Sequence, residues 1–314
     1  MSFHRVSWAA LPADVRSSVE ERLQAPVRSA TTASGGFGHQ LASVLTLPGG
    51  QSVFIKAIPR TDPLAVDLVI EAAALTALAG TTLAPRLRHK FEVSGWIVLL
   101  IEFVPGIHLD LSPGSTGVTA LLTALEDLVA RSAAAAFASA ASTAAATMGW
   151  MQGWKRLASS PPPDLDPWAR DHLEHLCALE AAWLLHAAGD RAVHGDLRSD
   201  NMLQSPDGRV VLIDWAHACA GPACMDLASL APQLVRAGWD PIEVVALLNN
   251  HPATRGEQPA VWALLAALTG YWEHASRQPE PPRACGLRTY QQSAAAAGRA
   301  LLASHPSPCD RGAS

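Results

Sequence analysis

The chain has 314 residues, more than one average domain, and 49% of them are hydrophobic, enough to bury a sizeable core. Its formal net charge is −5, from 23 basic and 28 acidic side chains, which excludes the basic footprint of a nucleic-acid binder. Five cysteines without a CxxC pair exclude a disulfide framework and a structural zinc site and point to the reducing cytoplasm, while the absence of a secretory leader or a run of about 18 apolar residues leaves no membrane partner to expect.

In chain order, Leu11, Val15, Val19 and Leu23 recur every four residues and predict an amphipathic helix over 11–24. VRSATT and HQLASVLTL read as strands on either side of the glycine loop SGGFG (34–38), and PGGQ (48–51) is a tight turn into a third strand, SVFIKAI (52–58). LAVDLVIEAAALTALAG (64–80) predicts a helix ending near Gly80. HKFEV (89–93) and WIVLLIEFV (96–104) predict two further strands, the second buried, and Pro105-Gly106 breaks it.

Beyond 104 the patterns are helical, at 115–131, 132–157, 167–188, 222–237, 240–250, 257–277 and 288–304. One β-like pair interrupts them, NMLQ (201–204) and VVLIDW (210–215), around the turn SPDG. The change of character predicts two domains, 1–104 and 105–314, followed by a loose tail, HPSPCDRGAS. Seven tryptophans, at 150, 154, 168, 183, 239, 262 and 272, crowd the helical part and read as core or groove-lining anchors.

The chemistry concentrates in HGDLRSDNML (194–203), which packs His194, Asp196, Arg198, Asp200 and Asn201 into eight positions, and in Asp214, which ends an apolar run. An Asn201 amide oxygen with an Asp214 carboxylate makes a hard-oxygen pair suited to Mg²⁺ carrying phosphates. Asp196, on the same loop, is placed to accept a proton from a hydroxyl. Taken alone, the stretch also fits a hydrogen-bonded polar turn. Gly35, Gly36 and Gly38 free backbone N–H groups to approach an anion, although glycine turns also join most hairpins. Lys56 stands in an apolar strand of a chain with three lysines against 20 arginines. It is either a buried cation or an edge-strand lysine reaching water. Glu71, in VIEAAAL, is either an exposed helical acid or the buried partner Lys56 would need.

In this order and spacing, the glycine loop, strand lysine, helix glutamate, HxDxxxxN loop and later aspartate resemble a protein-kinase-like phosphotransferase. Gly195 stands where protein kinases usually carry Arg, and Trp-Ala follows Asp214 in place of Phe-Gly. Both departures are similar to the aminoglycoside phosphotransferase (APH) and choline-kinase-like family. So are IDWAHACAGPACMDLASL (213–230) and GYWEHASRQPEPPRACGLRTYQQSAAAAGRALL (270–302), and the resemblance runs from about 27 to 302.

The resemblance implies an α+β, bilobal protein-kinase-like fold: an N-lobe antiparallel sheet with one long helix, and a helical C-lobe. It implies an ATP- and Mg²⁺-dependent enzyme, GTP not being excluded, that phosphorylates a hydroxyl of a small molecule. Gly35, Gly36 and Gly38 then cover the nucleotide phosphates, and Lys56, held by Glu71, contacts the α- and β-phosphates. Asn201 and Asp214 hold Mg²⁺, and Asp196 orients the acceptor hydroxyl. Residues 101–104 are the hinge, with the backbone of Glu102 and Val104 on adenine, Leu203 under the base and Ile55 above it. Asp226 braces the loop after Asp214, and His194 and Asp200 are scaffold. Arg198 is either a γ-phosphate neutraliser or a surface arginine paired to Asp200. Glu273 and Glu280 either read ammonium groups of an acceptor or are solvated acids. The acceptor stays open between an aminoglycoside-like antibiotic and a metabolite of choline, homoserine or sugar type. A non-catalytic, pseudokinase-like nucleotide-binding module is the alternative, against which the intact Lys56, Asp196, Asn201 and Asp214 argue.

Overall fold

Five strands pair antiparallel in the order β1-β2-β3-β5-β4: β1 (Ser29–Thr32), β2 (Leu41–Thr46), β3 (Ser52–Pro59), β4 (Leu87–Val93) and β5 (Trp96–Glu102). The computed structural model that shows them describes residues 5–33, 38–131, 151–281 and 284–305. Successive side chains of a strand point to opposite faces. On one face of this sheet Leu41, Leu45, Val53, Ile55, Val98 and Leu100 are buried against Leu11, Val15 and Val19, which α1 (Ala13–Leu23) and the residues just before it supply. Each such side chain contributes roughly 1.5–3 kcal/mol when fully buried, so the four-residue rhythm of α1 is its docking face. The β2–β3 turn places Gly49 and Gly50 at φ +83° and +82°, which glycine adopts without a Cβ clash. α2 (Ala65–Ala77) buries Leu68, Glu71, Ala72 and Leu75 and packs on β3, β4, β5 and the turn Trp215–His217.

The chain divides into two compact units, and the first comprises Met1–Leu109, Asp200–Ala218 and Pro282–Cys285. Chain order suggested a division at 104/105, with residues 200–218 in the second part. Strand pairing brings them to the first unit instead. β6 (Ile107–His108), β8 (Met202–Gln204) and β9 (Val210–Leu212) form one small sheet in the order β6-β8-β9. The Leu109 N–H donates to the Met202 carbonyl at 3.0 Å and the Leu212 N–H to the Leu83 carbonyl at 2.8 Å.

The second unit is helical. It contains α3 (Thr116–Val129), α4 (Gly153–Ser159), α5 (Pro167–Asp171), α6 (Leu173–His186), α7 (Met225–Arg236), α8 (Pro241–Asn250), α9 (Gln258–Ala275) and α10 (Leu287–Ser304). Residues 260–270 of α9 are buried on all sides, as a central helix requires, and α4, α6, α7 and α10 surround it. A Cβ on Gly153 would fall 1.8 Å from the Gly270 carbonyl oxygen, so glycine there permits the close α4–α9 crossing. Trp154, Trp183, Trp262 and Trp272 are core residues, and the Trp154 indole N–H donates to the Ala266 carbonyl at 2.8 Å. Asp240 caps α8 by accepting the Ile242 N–H at 2.8 Å, with Pro241 at the first helical position.

The helix expected over 167–188 is two helices, separated at His172. Of the helix expected over 132–157, residues 132–150 lie outside the described residues, and α4 is what the described part shows. Two short strands close the unit, β7 (Arg191–Val193) paired antiparallel with β10 (Cys219–Gly221). Like β6, they are too short to show a period in sequence. Cys177, Cys219, Cys224 and Cys285 are free thiols; Cys309 and the C-terminal tail lie outside the described residues. Among the described residues no helix is long and apolar enough to cross a membrane.

Candidate active site

Lys56 lies on the face of β3 opposite Ile55 and is 5% exposed, and Glu71, in the middle of α2, is 2% exposed. Its ammonium donates to both Glu71 oxygens, at 2.8 and 2.7 Å, and to Asp214 Oδ1 at 2.6 Å. A buried charge without partners costs several kcal/mol. Here burial works against the ammonium, but Glu71 and Asp214 outweigh it and hold Lys56 above the usual lysine range. The backbone N–H of Trp215 adds a hydrogen bond to Glu71.

Asp214 follows the buried strand β9 in left-handed backbone, φ 62° and ψ 61°. Aspartate tolerates this conformation better than most residues, at a cost of about 1–2 kcal/mol. The surroundings enforce it. The Ile213 N–H donates to the Asn201 carbonyl at 2.9 Å, and the fully buried Trp215 donates its indole N–H to the Leu212 carbonyl at 2.8 Å. The Asp214 side chain keeps a third of its surface exposed.

These groups line a cavity of about 310 Å³ within the first unit. Its lining includes the polar residues Lys56, Glu71, Asp200, Asn201 and Asp214, the apolar residues Ala42, Val44, Phe54, Ile101 and Leu203, and the segment Glu102, Phe103 and Val104. Seven residues singled out in sequence, Lys56, Glu71, Glu102, Val104, Asn201, Leu203 and Asp214, therefore share one space. Gly35 and Gly36 lie outside the described residues. Ile55 is not in the cavity wall. Because Lys56 faces the cavity, strand alternation sends Ile55 into the core against α1 and turns Phe54 to the place foreseen for Ile55. Arg5, which no sequence pattern marked, also lines the cavity; its Nη1 donates to the Ala33 carbonyl at 3.0 Å and its Nε to the Gly38 carbonyl at 3.3 Å.

Asp214 and Asn201 offer only oxygen donors. Among the described residues no group of three or more His, Cys, Asp or Glu side chains forms a self-sufficient metal cage.

In the second unit β7 leads into His194, Gly195 and Asp196. Gly195 has φ +80°, a value that explains glycine at this position. Asp226, in the first turn of α7, accepts the His194 N–H at 2.8 Å and the Gly195 N–H at 2.9 Å. Burial pushes the Asp226 carboxyl up, and His194 with the two N–H groups pulls it back. His194 is fully buried, and its Nδ1 accepts the Asp196 N–H at 3.3 Å. Asp226 and His194 thus brace the loop that presents Asp196. Arg198 places Nε 3.4 Å from Asp196 Oδ1.

α10 contributes a residue that its helical pattern concealed. Tyr290 Oη accepts from Gln233 Nε2 at 2.9 Å, and the Arg236 guanidinium lies 4.5 Å from its ring centroid. Burial raises the Tyr290 hydroxyl, opposed by Arg198 and Arg236 and reinforced by Asp196. The phenol therefore shares the electrostatic environment of the loop. Glu273 does not sit in solvent: it is 3% exposed and bonded to Arg299 and, at 2.6 Å, to Arg277. Glu280 accepts the Leu287 N–H at 2.9 Å at the start of α10.

Residues 30–278 match the family model described as Phosphotransferase enzyme family, APH. No curated protein matches the sequence. Among solved structures, an aminoglycoside phosphotransferase from Alicyclobacillus acidocaldarius is 18% identical with TM-score 0.60, over 88% of this chain and 91% of that one. A spectinomycin phosphotransferase solved with ADP and spectinomycin is 12% identical with TM-score 0.64, over 92% and 97%. A choline kinase from Streptococcus pneumoniae is 18% identical with TM-score 0.57, over 93% and 99%. At these identities the likeness is one of fold: an antiparallel N-terminal sheet followed by a helical region.

Proposed function

This chain belongs to the phosphotransferase enzyme family, and from that premise we propose that it is an ATP- and Mg²⁺-dependent kinase of a hydroxyl group on a small molecule, an aminoglycoside-like antibiotic being the first acceptor to test. That it is a small-molecule phosphotransferase follows from the family; donor, metal and acceptor are the proposal. The observation that carries it is the Lys56 ammonium held between Glu71 and Asp214 inside a cavity shared with Asn201.

Phosphoryl transfer demands positioning and charge neutralisation more than covalent work. Lys56, aimed by Glu71, contacts the α- and β-phosphates, and the loop bearing Gly35, Gly36 and Gly38 covers them. Ala42, Val44, Phe54 and Leu203 offer apolar surface to a planar base, with backbone groups of Glu102 and Val104 at its edge. Asn201 and Asp214 hold Mg²⁺, which supplies charge neutralisation on the phosphate oxygens when bound. Asp196 orients the acceptor. As the hydroxyl oxygen bonds to the terminal phosphorus, the bond from phosphorus to the leaving nucleoside diphosphate breaks and the hydroxyl proton passes to Asp196. Arg198, beside Asp196, neutralises the transferring group. Residues 1–104 act as the nucleotide lobe, with the hinge at 101–104, and residues 105–314 supply the catalytic loop and acceptor groove, residues 200–218 of them packing with the first unit. The free thiols among the described residues support a cytoplasmic location.

The test is binding and consumption of ATP and GTP with Mg²⁺ by the purified protein, across a panel of aminoglycosides, amino alcohols, homoserine and sugars. Turnover with one acceptor class, reduced about 10²- to 10⁴-fold by Asp196→Asn, is the expected result. No nucleotide binding removes the proposal. Binding without turnover on every acceptor makes the protein a pseudokinase-like module. Arg198→Ala should lower kcat more than it raises KM for ATP; an unchanged kcat takes Arg198 out of the mechanism.

A further inference from the structure

Arg5 precedes α1 by eight positions, yet the fold holds it in place. The Val6 N–H donates to the His39 carbonyl at 3.4 Å, and Val6 and Trp8 pack against the core between α1 and the sheet. The guanidinium bonds to the carbonyls of Ala33 and Gly38, the residues flanking segment 34–37, and it lines the same cavity as Lys56, Asn201 and Asp214.

Charge decides what this cation is for. The cavity lining carries four carboxylates, Glu71, Glu102, Asp200 and Asp214, against two permanent cations, Lys56 and Arg5. Lys56 is committed to Glu71 and Asp214. A nucleoside di- or triphosphate adds several negative charges to this space, and a second cation on the chain adds to the attraction that Lys56 and a bound Mg²⁺ would supply. A planar guanidinium matches phosphate oxygens better than any other side chain. We propose that Arg5 is a nucleotide-phosphate-binding residue, supplied by the segment before α1, whose guanidinium joins Lys56 in holding the polyphosphate. The inference rests on reading the cavity as a nucleotide site. Burial lowers the Arg5 pKa, and Asp214 and Asp200 act against it, so the half-buried guanidinium gains from any further anion placed beside it.

The experiment measures binding of ADP and of adenosine to the wild type, Arg5→Gln and Arg5→Lys at several salt concentrations, together with the nucleotide-free melting temperature. Arg5→Gln should weaken ADP about tenfold, as loss of a charge-assisted contact does, leave adenosine affinity unchanged, lower nucleotide-free melting by no more than the two lost carbonyl bonds account for, and flatten the salt dependence of ADP binding. Arg5→Lys, which keeps the charge and loses the fork, should fall between the two. Equal losses for ADP and adenosine, a loss of ADP affinity with wild-type salt dependence, or no loss in either variant overturns the inference. If the wild type binds ADP and Arg5→Gln binds it equally well, this inference alone fails. If the wild type binds no nucleotide, the nucleotide reading fails and takes this one with it.

Discussion

Glu71 in the first unit and Glu273 in the second are both buried carboxylates held by cations, and they end in different places. Glu71 accepts two bonds from Lys56, whose ammonium reaches on to Asp214, a third exposed in a cavity. Glu273 is bonded to Arg277 and Arg299, whose other ionic neighbours are Asp164 at 3.8 Å and Asp166 at 3.6 Å. One cluster opens into a cavity; the other runs out to open surface through Asp164 and Asp166, whose side chains are 74% and 36% exposed. Burial and charge alone do not separate a site from a strut. The destination of the outermost charge does.

The widest separation should come from substitution at each cluster. Lys56→Met and Asp214→Ala should each lower kcat/KM about 10²- to 10³-fold, as removal of an electrostatic stabiliser does. Lys56→Met should also destabilise the fold by about 3–5 kcal/mol through the orphaned Glu71, and a Lys56→Met/Glu71→Met double variant should recover most of that stability without activity. Glu273→Ala is expected to show a similar stability loss, about 3–5 kcal/mol in denaturant titration, with kcat retained wherever the protein is folded. A folded Glu273→Ala protein that has lost turnover would erase the contrast.

A smaller effect should come from the loop that Asp226 braces. Gly195→Ala forces a Cβ into backbone at φ +80°, costing about 1–2 kcal/mol and lowering kcat with little change in nucleotide affinity, because Asp196 shifts while Lys56 does not. Weakened ADP binding in this variant would show the two parts to be less separable than they look.

The mildest test is one of pH. Glu180 accepts the N–H groups of Trp154 and Lys155, both at 3.0 Å, at the start of α4. Burial still pushes its carboxyl up, against those N–H groups, the Gly153 N–H and Arg156. A carboxyl raised on folding contributes its full stability below its unfolded value, about 4.3, and loses it as pH rises through the folded value. Raising pH from about 4 to about 7 should therefore shift melting temperature in favour of Glu180→Gln over wild type. A shift in favour of wild type would reverse the sign and make the helix-capping bonds dominant.

Much of the first unit was legible because its signals are local. The rhythm of Leu11, Val15 and Val19 is the face that packs on the sheet, and the spacing of Lys56, Glu71, Asn201 and Asp214 named groups that share one cavity. Ile55 was misplaced although the correction was already in the chain: adjacent strand residues cannot both face the cavity, so choosing Lys56 also chose Phe54. β6, β7 and β10, of two or three residues each, were beyond reach of any periodicity, and with them went the pairing that carries residues 200–218 into the first unit.

Sequence by itself brought out Lys56, Glu71, Asn201 and Asp214, which share one cavity, and most of the helices and long strands, because motif spacing and apolar period are properties of neighbouring positions. Tertiary structure alone decided that Arg5 reaches the cavity, that Tyr290 feels Asp196 and Arg198, and that Glu273 is a strut. Each of those roles depends on the distance between charges far apart in the chain, and Coulomb energy follows separation in space and local dielectric, not separation in sequence.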